Sequence, residues 1–231
     1  MTNLSLKVAE SLQEHCALIA PVISELTAAR LQWLDLTEEN ASLREVNLKD
    51  TAAFSHWLFE RELQGSVGIG GYMEDRVVYR RSEHYEGQEA RSVHLGLDLW
   101  VAAGTPVYAP LAGAVHSFQD NQGFGNYGPT IILEHTLDEV TFYTLYGHLS
   151  RASLTPLRVG QPIECGAPLG AVGPYPENGD WPPHLHLQVI TDLMGWVGDF
   201  PGVVAPSQQA AYARVCVDPL LLVHTHERGA L

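Results

Sequence analysis

Two neighbouring runs indicate the fold class most directly: Thr130-Ile131-Ile132-Leu133-Glu134-His135 and Val140-Thr141-Phe142-Tyr143-Thr144-Leu145-Tyr146. Both have the length of a β-strand and are rich in β-branched and aromatic residues. Similar runs occur at Arg76–Tyr79, Pro106–Ala109 and Gly113–Phe118, and turn residues separate them. We find no convincing amphipathic helix between about residues 93 and 192. The sequence therefore predicts a mainly β fold, an antiparallel sheet in a sandwich or barrel-like arrangement.

The N-terminal part of the chain has a different character. Glycine is absent from it, and apolar residues recur at three-to-four spacing over Val22–Leu34, which predicts a helix with Pro21 in its first turn. A second helix is predicted through Ala41–Leu48, capped by Asp35 with Glu38. These patterns favour a small helical region preceding the β-rich part.

The predicted domains are a helical N-terminal region, residues 1–60, and a β-rich domain, residues 61–231, whose motif-bearing core spans 93–192. The amphipathic N-terminal helices would pack against the rest of the protein or against a second copy. A homo-oligomer formed through these helices is therefore one candidate assembly.

The composition narrows the partners and the compartment. The chain has 231 residues, 45% of them hydrophobic, and a formal net charge of -14, which repels nucleic acid phosphates and anionic lipids. We expect no nucleic-acid and no membrane partner. The start of the sequence lacks the pattern of a secretory signal, and Cys16, Cys165 and Cys216 are odd in number and widely spaced, as in reduced thiols. Both features favour a cytoplasmic protein.

Two short motifs carry the chemistry: His94-Leu95-Gly96-Leu97-Asp98 and His184-Leu185-His186. Imidazole and carboxylate groups are typical ligands of zinc. On a strand, His184 and His186 face the same side, roughly 7 Å apart, so both could bind one ion, or one could lie beside a bound water. His94 and Asp98 would be roughly 13 Å apart on an extended strand, so we expect the backbone to turn at Gly96. Spacing alone does not choose the ligands among these four groups.

The order and surroundings of these motifs resemble one family, the lysostaphin/LytM-type zinc metallopeptidases, known chiefly as peptidoglycan endopeptidases. The similarity covers roughly residues 93 to 190. Besides the two motifs it includes Ala103-Gly104-Thr105-Pro106-Val107-Tyr108-Ala109, Gly113-Ala114-Val115, Gly125-Asn126, Ile131-Ile132-Leu133-Glu134-His135, Tyr146-Gly147-His148-Leu149-Ser150, Val159-Gly160-Gln161-Pro162-Ile163, Gly166 and Leu169-Gly170.

The resemblance implies the duplicated hybrid motif fold and one zinc ion per chain, held by His94, Asp98 and His186. It implies His148 and His184 as catalytic residues beside the metal-activated water, without showing which is the general base. The implied activity is that of a zinc metalloendopeptidase, hydrolysing a peptide bond in a peptidoglycan-derived or small glycine-containing peptide.

The remaining histidines and several loop residues have other expected roles. We interpret His135 as structural, and His15, His56, His84 and His116 as surface or packed side chains, because none has a partner at metal spacing. His224 and His226 form a second His-x-His pair in a polar tail. The loop Pro174–Pro183 departs from the family pattern, and its Trp181 or Tyr175 could close one wall of a substrate groove. A further hypothesis gives Asn40 or Asn47 of the N-terminal region as an extra metal ligand.

Two alternative functions remain open. One is a non-catalytic zinc-binding or regulatory module, although the resemblance implies that such family members typically lack metal ligands, and all five expected polar residues are present here. The other is a cytoplasmic zinc hydrolase that acts on a non-peptidoglycan amino-acid conjugate. Because the sequence lacks a secretory signal pattern and is acidic, a wall-degrading role would need export by another route. The resemblance supports a cytoplasmic substrate, such as a small peptide or amino-acid conjugate, about as well as the cell wall.

Overall fold

The computed structural model of the protein describes residues 3–27, 31–87, 89–155 and 157–223. The strands of this part of the chain are β1 (Leu31–Leu34), β2 (Val67–Gly70), β3 (Val93–His94), β4 (Leu97–Trp100), β5 (Pro106–Tyr108), β6 (Gly113–Asn121), β7 (Gly128–Leu137), β8 (Val140–Gly147), β9 (Pro162–Ile163), β10 (Pro168–Ala171), β11 (His184–Ile190), β12 (Val203–Val204) and β13 (Cys216–Val217). Nine of them form one sheet, in the order β1-β2-β4-β11-β8-β7-β6-β9, with β13 pairing to β11. Two-stranded sheets join β5 to β10 and β3 to β12.

The helices of the described residues are short and lie outside the sheet. They are α1 (Asn3–Glu14), α2 (Thr51–His56) and α3 (Gln209–Tyr212), and α2 continues into a π-helix over Trp57–Leu63. Single 3₁₀ turns occur at Cys16–Leu18, Ser24–Thr27, Ala41–Glu45, Val77–Arg81, Glu83–Tyr85, Arg151–Leu154, Pro206–Gln208 and Pro219–Leu222. None of the described helices is both long and apolar enough to cross a bilayer.

The predicted mainly β fold class is confirmed. The predicted runs from Pro106 to Tyr146 lie in β5, β6, β7 and β8, and the described part of 93–192 contains no α-helix. β7 and β8 form an antiparallel pair in which Ile132 lies opposite Leu145. The prediction of a strand at Arg76–Tyr79 is wrong, because Val77–Arg81 is a 3₁₀ turn.

Neither predicted N-terminal helix is found in the described residues, and residues 28–30 of the first lie outside them. Leu31–Leu34 forms β1, which pairs in parallel with β2. The three-to-four spacing of apolar residues predicted a helix. The backbone groups at the edge of β2 pair with this segment instead, and this tertiary contact outweighs the local helical preference. The Ala41–Leu48 segment contains only a 3₁₀ turn. Its N-terminus is capped by the Asn40 side chain and not by Asp35.

The N-terminal segment packs on the chain's own sheet. Val8 and Leu12 of α1 lie in the same hydrophobic cluster as Val107, Leu187 and Val217. Burying these side chains within one chain already satisfies the apolar face that predicted an oligomer. The division of the chain at residue 60 and the homo-oligomer both stay predictions.

Strand β11 forms the centre of the core and positions the polar residues. It is buried along its whole length and pairs with β4 on one side and β8 on the other. Leu185, Leu187 and Val189 pack in the large hydrophobic cluster. The alternation of strand side chains places His184, His186 and Gln188 on the opposite face, as predicted for the two histidines.

His135 on β7 is a buried structural residue, as interpreted from the sequence. Its Nδ1 donates to Ala112 O over 2.8 Å, and its Nε2 lies 2.7 Å from Thr144 Oγ1, from which it accepts. Burial lowers the pKa of His135 from 6.5 to about 4. Between these values the unfolded chain binds a proton that the folded chain does not, so stability is present above pH 6.5 and is lost as the pH falls towards 4.

We expect His135→Gln to remove this pH dependence. In the wild type, titration of His135 should lower the free energy of unfolding by roughly 3 kcal/mol between pH 6.5 and pH 4, from its pKa shift. The loss with falling pH should therefore be smaller in His135→Gln, measured by urea unfolding in a chelator. His56→Gln, at an exposed position, is the control and should keep the full loss. Parallel pH profiles for wild type and His135→Gln would contradict the assignment.

Candidate metal centre

Three buried side chains converge beside β11. His94 ends β3, Asp98 lies on β4, and His186 on β11 is the pairing partner of Asp98. The His94 Nε2–His186 Nδ1 distance is 2.9 Å, and Asp98 Oδ1 lies 3.0 Å from His186 Nδ1 and 3.3 Å from His94 Nε2. Each residue thus turns one potential ligand atom towards the same point. The structure brings together the three ligands that the family resemblance implied.

Gly96 allows this convergence for a reason that the sequence did not show. As predicted, the extended backbone is interrupted at Leu95 and Gly96, between β3 and β4. A Cβ atom on Gly96 would lie 2.6 Å from His186 Cε1 and 2.7 Å from Leu187 O. Both distances are far below van der Waals contact, and the second atom belongs to the backbone of β11. Glycine is required here because the His186 ring lies against it.

Hydrogen bonds on the outer side of the rings assign the two ligand nitrogens. His94 Nδ1 donates to Gly71 O over 2.9 Å, which leaves the lone pair on Nε2. His186 Nε2 donates to Gln188 Oε1 over 2.9 Å, which leaves the lone pair on Nδ1. Tyr127 OH donates to the same Gln188 oxygen. Such outer partners fix the tautomer and ring orientation of histidine ligands in metal sites.

The assigned tautomers provide the test of whether an ion fits. His94 Nε2 and His186 Nδ1 are then both acceptors, facing each other at 2.9 Å with the Asp98 carboxylate beside them. Two lone pairs and an anion so close, away from water, repel one another unless a cation lies among them. Two imidazole nitrogens and one carboxylate oxygen are a common set of three protein ligands for catalytic zinc. The donor set fits zinc.

His148 and His184 lie next to this cluster with their rings 4.2 Å apart. His148 Nδ1 donates to Asn178 O over 2.7 Å, and His184 Nδ1 donates to Pro182 O over 2.8 Å. Each ring therefore keeps an unprotonated Nε2. Trp100 stacks on the His184 ring at 4.0 Å, and His184 Nε2 lies 3.8 Å from Asp98 Oδ1. The pair can accept protons beside the three ligands.

The backbone of His148 is strained. Its φ of 61° lies in the left-handed region, which costs a non-glycine residue free energy. The strained residue is held at both ends, because its N–H donates to Tyr127 O and its C=O accepts from Gly173 N. The strain is retained where it turns the His148 ring towards His184.

Burial keeps these rings neutral. It lowers the pKa of His184 from 6.5 to about 4 and that of His148 well below its usual value, and the neighbouring His184 lowers the latter further. Burial, followed by the charge of Arg76, lowers the pKa of His94 to about 3. Neutral imidazole is the form that binds a metal ion and accepts a proton.

Asp98 is ionised and paired with Arg76. Burial raises the pKa of the Asp98 carboxyl, but the positive charge of Arg76 opposes burial, and the pKa lies well below its usual range. Arg76 Nη1 donates to Asp98 Oδ2 over 2.5 Å. Sequence reasoning missed Arg76 because it lies in a segment read only as a strand. It also missed Gln188, although the His-x-His-x-Gln alternation of β11 gave a signal for it.

A cleft opens from the five polar residues. Its walls include the aromatic side chains Tyr79, Tyr85, Trp100, Tyr127, Trp181, Trp196 and Phe200. Arg91 and Asp199 add one cation and one anion to the lining. Of the two residues expected to close one wall of the groove, Trp181 lies in the wall, whereas Tyr175 is exposed and is not a lining residue.

The Asn40 and Asn47 hypothesis is wrong for the described residues. The side chain of Asn40 caps a 3₁₀ turn, and Asn47 Oδ1 accepts from Lys49 N. Neither residue lines the cleft, because the first lining residue along the chain is Arg76. The polar side chains of this segment are used for local turns.

The remaining histidines lie apart from the metal centre. His116 bonds to Ser117 on β6, and His84 lines the cleft. His15 does have a carboxylate partner, which sequence spacing could not show: its Nε2 lies 3.0 Å from both oxygens of Asp138, 123 residues away. His224 and His226 lie outside the described residues. The three cysteines are free thiols, as expected.

We expect Gly96→Ala to displace the His186 ring and to weaken metal binding at least tenfold, because the added methyl cannot fit between that ring and the backbone of β11. Bound zinc, measured by elemental analysis after dialysis against a weak chelator, reports the effect. Gly71→Ala is the matched control: its Cβ would meet no atom closer than 3.5 Å, and the carbonyl that holds His94 is kept. Normal zinc content in Gly96→Ala would disprove the close-approach argument.

Part of the chain is similar to known peptidases. The model of Peptidase family M23 matches residues 92–195. A solved peptidase M23 protein of Pseudomonas aeruginosa is 26% identical, over 59% of this chain and 47% of that one, with a TM-score of 0.37. A zinc-containing peptidase of Vibrio cholerae is 26% identical, over 42% of this chain and 27% of that one, with a TM-score of 0.33.

The catalytic domain of the antimicrobial peptidase lysostaphin from Staphylococcus simulans is 24% identical, over 50% of this chain and 77% of that domain, with a TM-score of 0.34. This chain spans less than half the length of the Pseudomonas and Vibrio proteins. No curated protein matches the chain. The matched segment, residues 92–195, contains all three metal-ligand residues and both catalytic histidines that the resemblance implied. Residues 92–195 thus match Peptidase family M23, in agreement with the resemblance found in the sequence.

Proposed function

We propose that the protein is a zinc-dependent metalloendopeptidase that hydrolyses a peptide bond. The observation that carries the proposal is the contact between two imidazole lone pairs and the Asp98 carboxylate, which a bound cation would relieve. Two further neutral histidines beside it can move protons. A non-catalytic zinc module has no need of that second pair.

His94 Nε2, Asp98 Oδ1 and His186 Nδ1 would hold the ion. When bound, zinc would lower the pKa of a water molecule and polarise the carbonyl of the scissile amide. The chain's own residues supply the remaining chemistry: binding, orientation and proton transfer. One zinc ion per chain is proposed.

His148 and His184 move the proton. Because Nδ1 of each ring donates to a backbone carbonyl, Nε2 is the atom that accepts a proton from the attacking water. The imidazolium so formed stabilises negative charge on the carbonyl oxygen, and it then returns the proton to the nitrogen of the leaving amine. The ring contact of 4.2 Å lets either histidine act as the base, with the other beside it.

The cleft supports a peptide as the substrate. Aromatic walls provide flat apolar contacts to an extended chain, and Arg91 and Asp199 offer a partner to each sign of charge. We propose a peptidoglycan-derived or small glycine-containing peptide, with no nucleic-acid or membrane partner and a cytoplasmic location. An amino-acid conjugate with a non-peptidoglycan amide is the alternative that the same chemistry would serve.

Substitution of the ligands and of the bases should have different effects. We expect His148→Ala and His184→Ala each to lower kcat by roughly 10²- to 10⁴-fold, the usual contribution of general acid–base catalysis, with zinc still bound. His186→Ala should lose zinc as well as activity. Cleavage of peptidoglycan stems, glycine-rich peptides, dipeptides and amino-acid conjugates should be profiled by mass spectrometry, alongside elemental analysis.

The matched control is His116→Ala, on β6 outside the cleft, which should keep both zinc and activity. Protein purified without a chelator that holds substoichiometric metal, and gains no activity on adding zinc, would overturn the proposal. Cleavage confined to the amino-acid conjugates would keep the zinc chemistry and replace the proposed substrate.

A further inference from the structure

Arg76 is a buried cation with a defined partner for each part of its guanidinium group. Its residue exposure is 2%. Nη1 donates to Asp98 Oδ2 over 2.5 Å and to Tyr79 OH over 3.3 Å, and Nε donates to Glu74 Oε2 over 2.6 Å. Nη2 donates to Gly71 O over 3.1 Å. The planar fork of arginine suits such simultaneous contacts in a way that lysine does not.

Two of these contacts lead directly to the proposed metal ligands. Asp98 Oδ2 is occupied by Arg76, whereas Oδ1 faces His94 Nε2 and His186 Nδ1. Gly71 O accepts from Arg76 Nη2 and also from His94 Nδ1. One guanidinium group therefore fixes the rotation of the carboxylate and shares the carbonyl that fixes the His94 ring.

We propose that Arg76 is a positioning residue of the metal centre, which holds Asp98 so that only Oδ1 is offered to the ion. This inference rests on the proposed zinc site. Arg76 does not contact the reacting atoms, and its role is to build the site before the ion arrives. A carboxylate with Oδ2 released could turn and offer both oxygens.

The residues that hold Asp98 and His94 come from outside the segment that matches the family. Gly71, Glu74, Arg76 and Tyr79 all precede residue 92, where the match begins. Glu74 Oε1 in turn accepts from Leu36 N, which links this support to the N-terminal segment. The part of the chain that precedes the matched segment thus supports the proposed metal ligands.

The test measures metal binding in the full chain and not only activity. We expect Arg76→Met to weaken zinc binding by about 10- to 100-fold, the usual effect of removing an outer partner of a ligand, measured by competition with a chromophoric chelator. The visible absorption of the Co²⁺-substituted protein should weaken as well, because the freed Asp98 oxygen adds a ligand. Arg76→Lys keeps the charge without the fork and should show a smaller loss in the same direction.

Arg81→Met is the matched control, because Arg81 is equally buried at 3% exposure but donates to Thr51 Oγ1 and contacts no proposed ligand. It should leave zinc affinity and the Co²⁺ spectrum within about twofold of the wild type. Circular dichroism shows whether each variant folds. If Arg76→Met does not fold, the zinc affinity and Co²⁺ spectrum of Arg76→Lys decide the test. Wild-type affinity and spectrum in the folded Arg76 variants would overturn this inference alone, whereas a wild type that binds no zinc would overturn the proposed function.

Discussion

The ionised carboxylate of Asp98, buried at the junction of β4 and β11, is the constraint on which the rest of the site depends. A buried charge is tolerated only when it is paired and hydrogen-bonded. Arg76 meets one oxygen, and the histidines surround the other. The free energy needed to keep this anion out of water is supplied by contacts that also fix its direction, so stability and preorganisation share the same bonds.

Strand β11 places further histidines beside this buried carboxylate. One face of it fills the main core with leucine and valine side chains, and the other carries His184, His186 and Gln188. Because the core face packs the strand firmly, the same packing positions the side chains of the polar face. Aromatic side chains lie on the cleft side of these histidines, where Trp100 stacks on His184 and Trp181 lies near His148.

Local patterns predicted the β-rich part well and the N-terminal part poorly. Runs such as Val140–Tyr146 are strands in any context that buries one face, because their residue types and lengths agree with the pairing that the sheet offers. Leu31–Leu34 follows a helical spacing yet forms β1, because the edge of β2 satisfies its backbone. Propensity decides little where a tertiary hydrogen-bonding partner is available.

By itself, the sequence determined that His184 and His186 share one face, since strand side chains alternate with a period of two. It also determined that the chain must turn between His94 and Asp98, and the motif order pointed to the family. Only the tertiary structure decided which nitrogen of each ring is free, because the partners that assign them, Gly71 O and Gln188 Oε1, are defined by folding. Arg76 lies 22 residues before Asp98, and no spacing rule joins them; the fold alone placed the cation against the carboxylate.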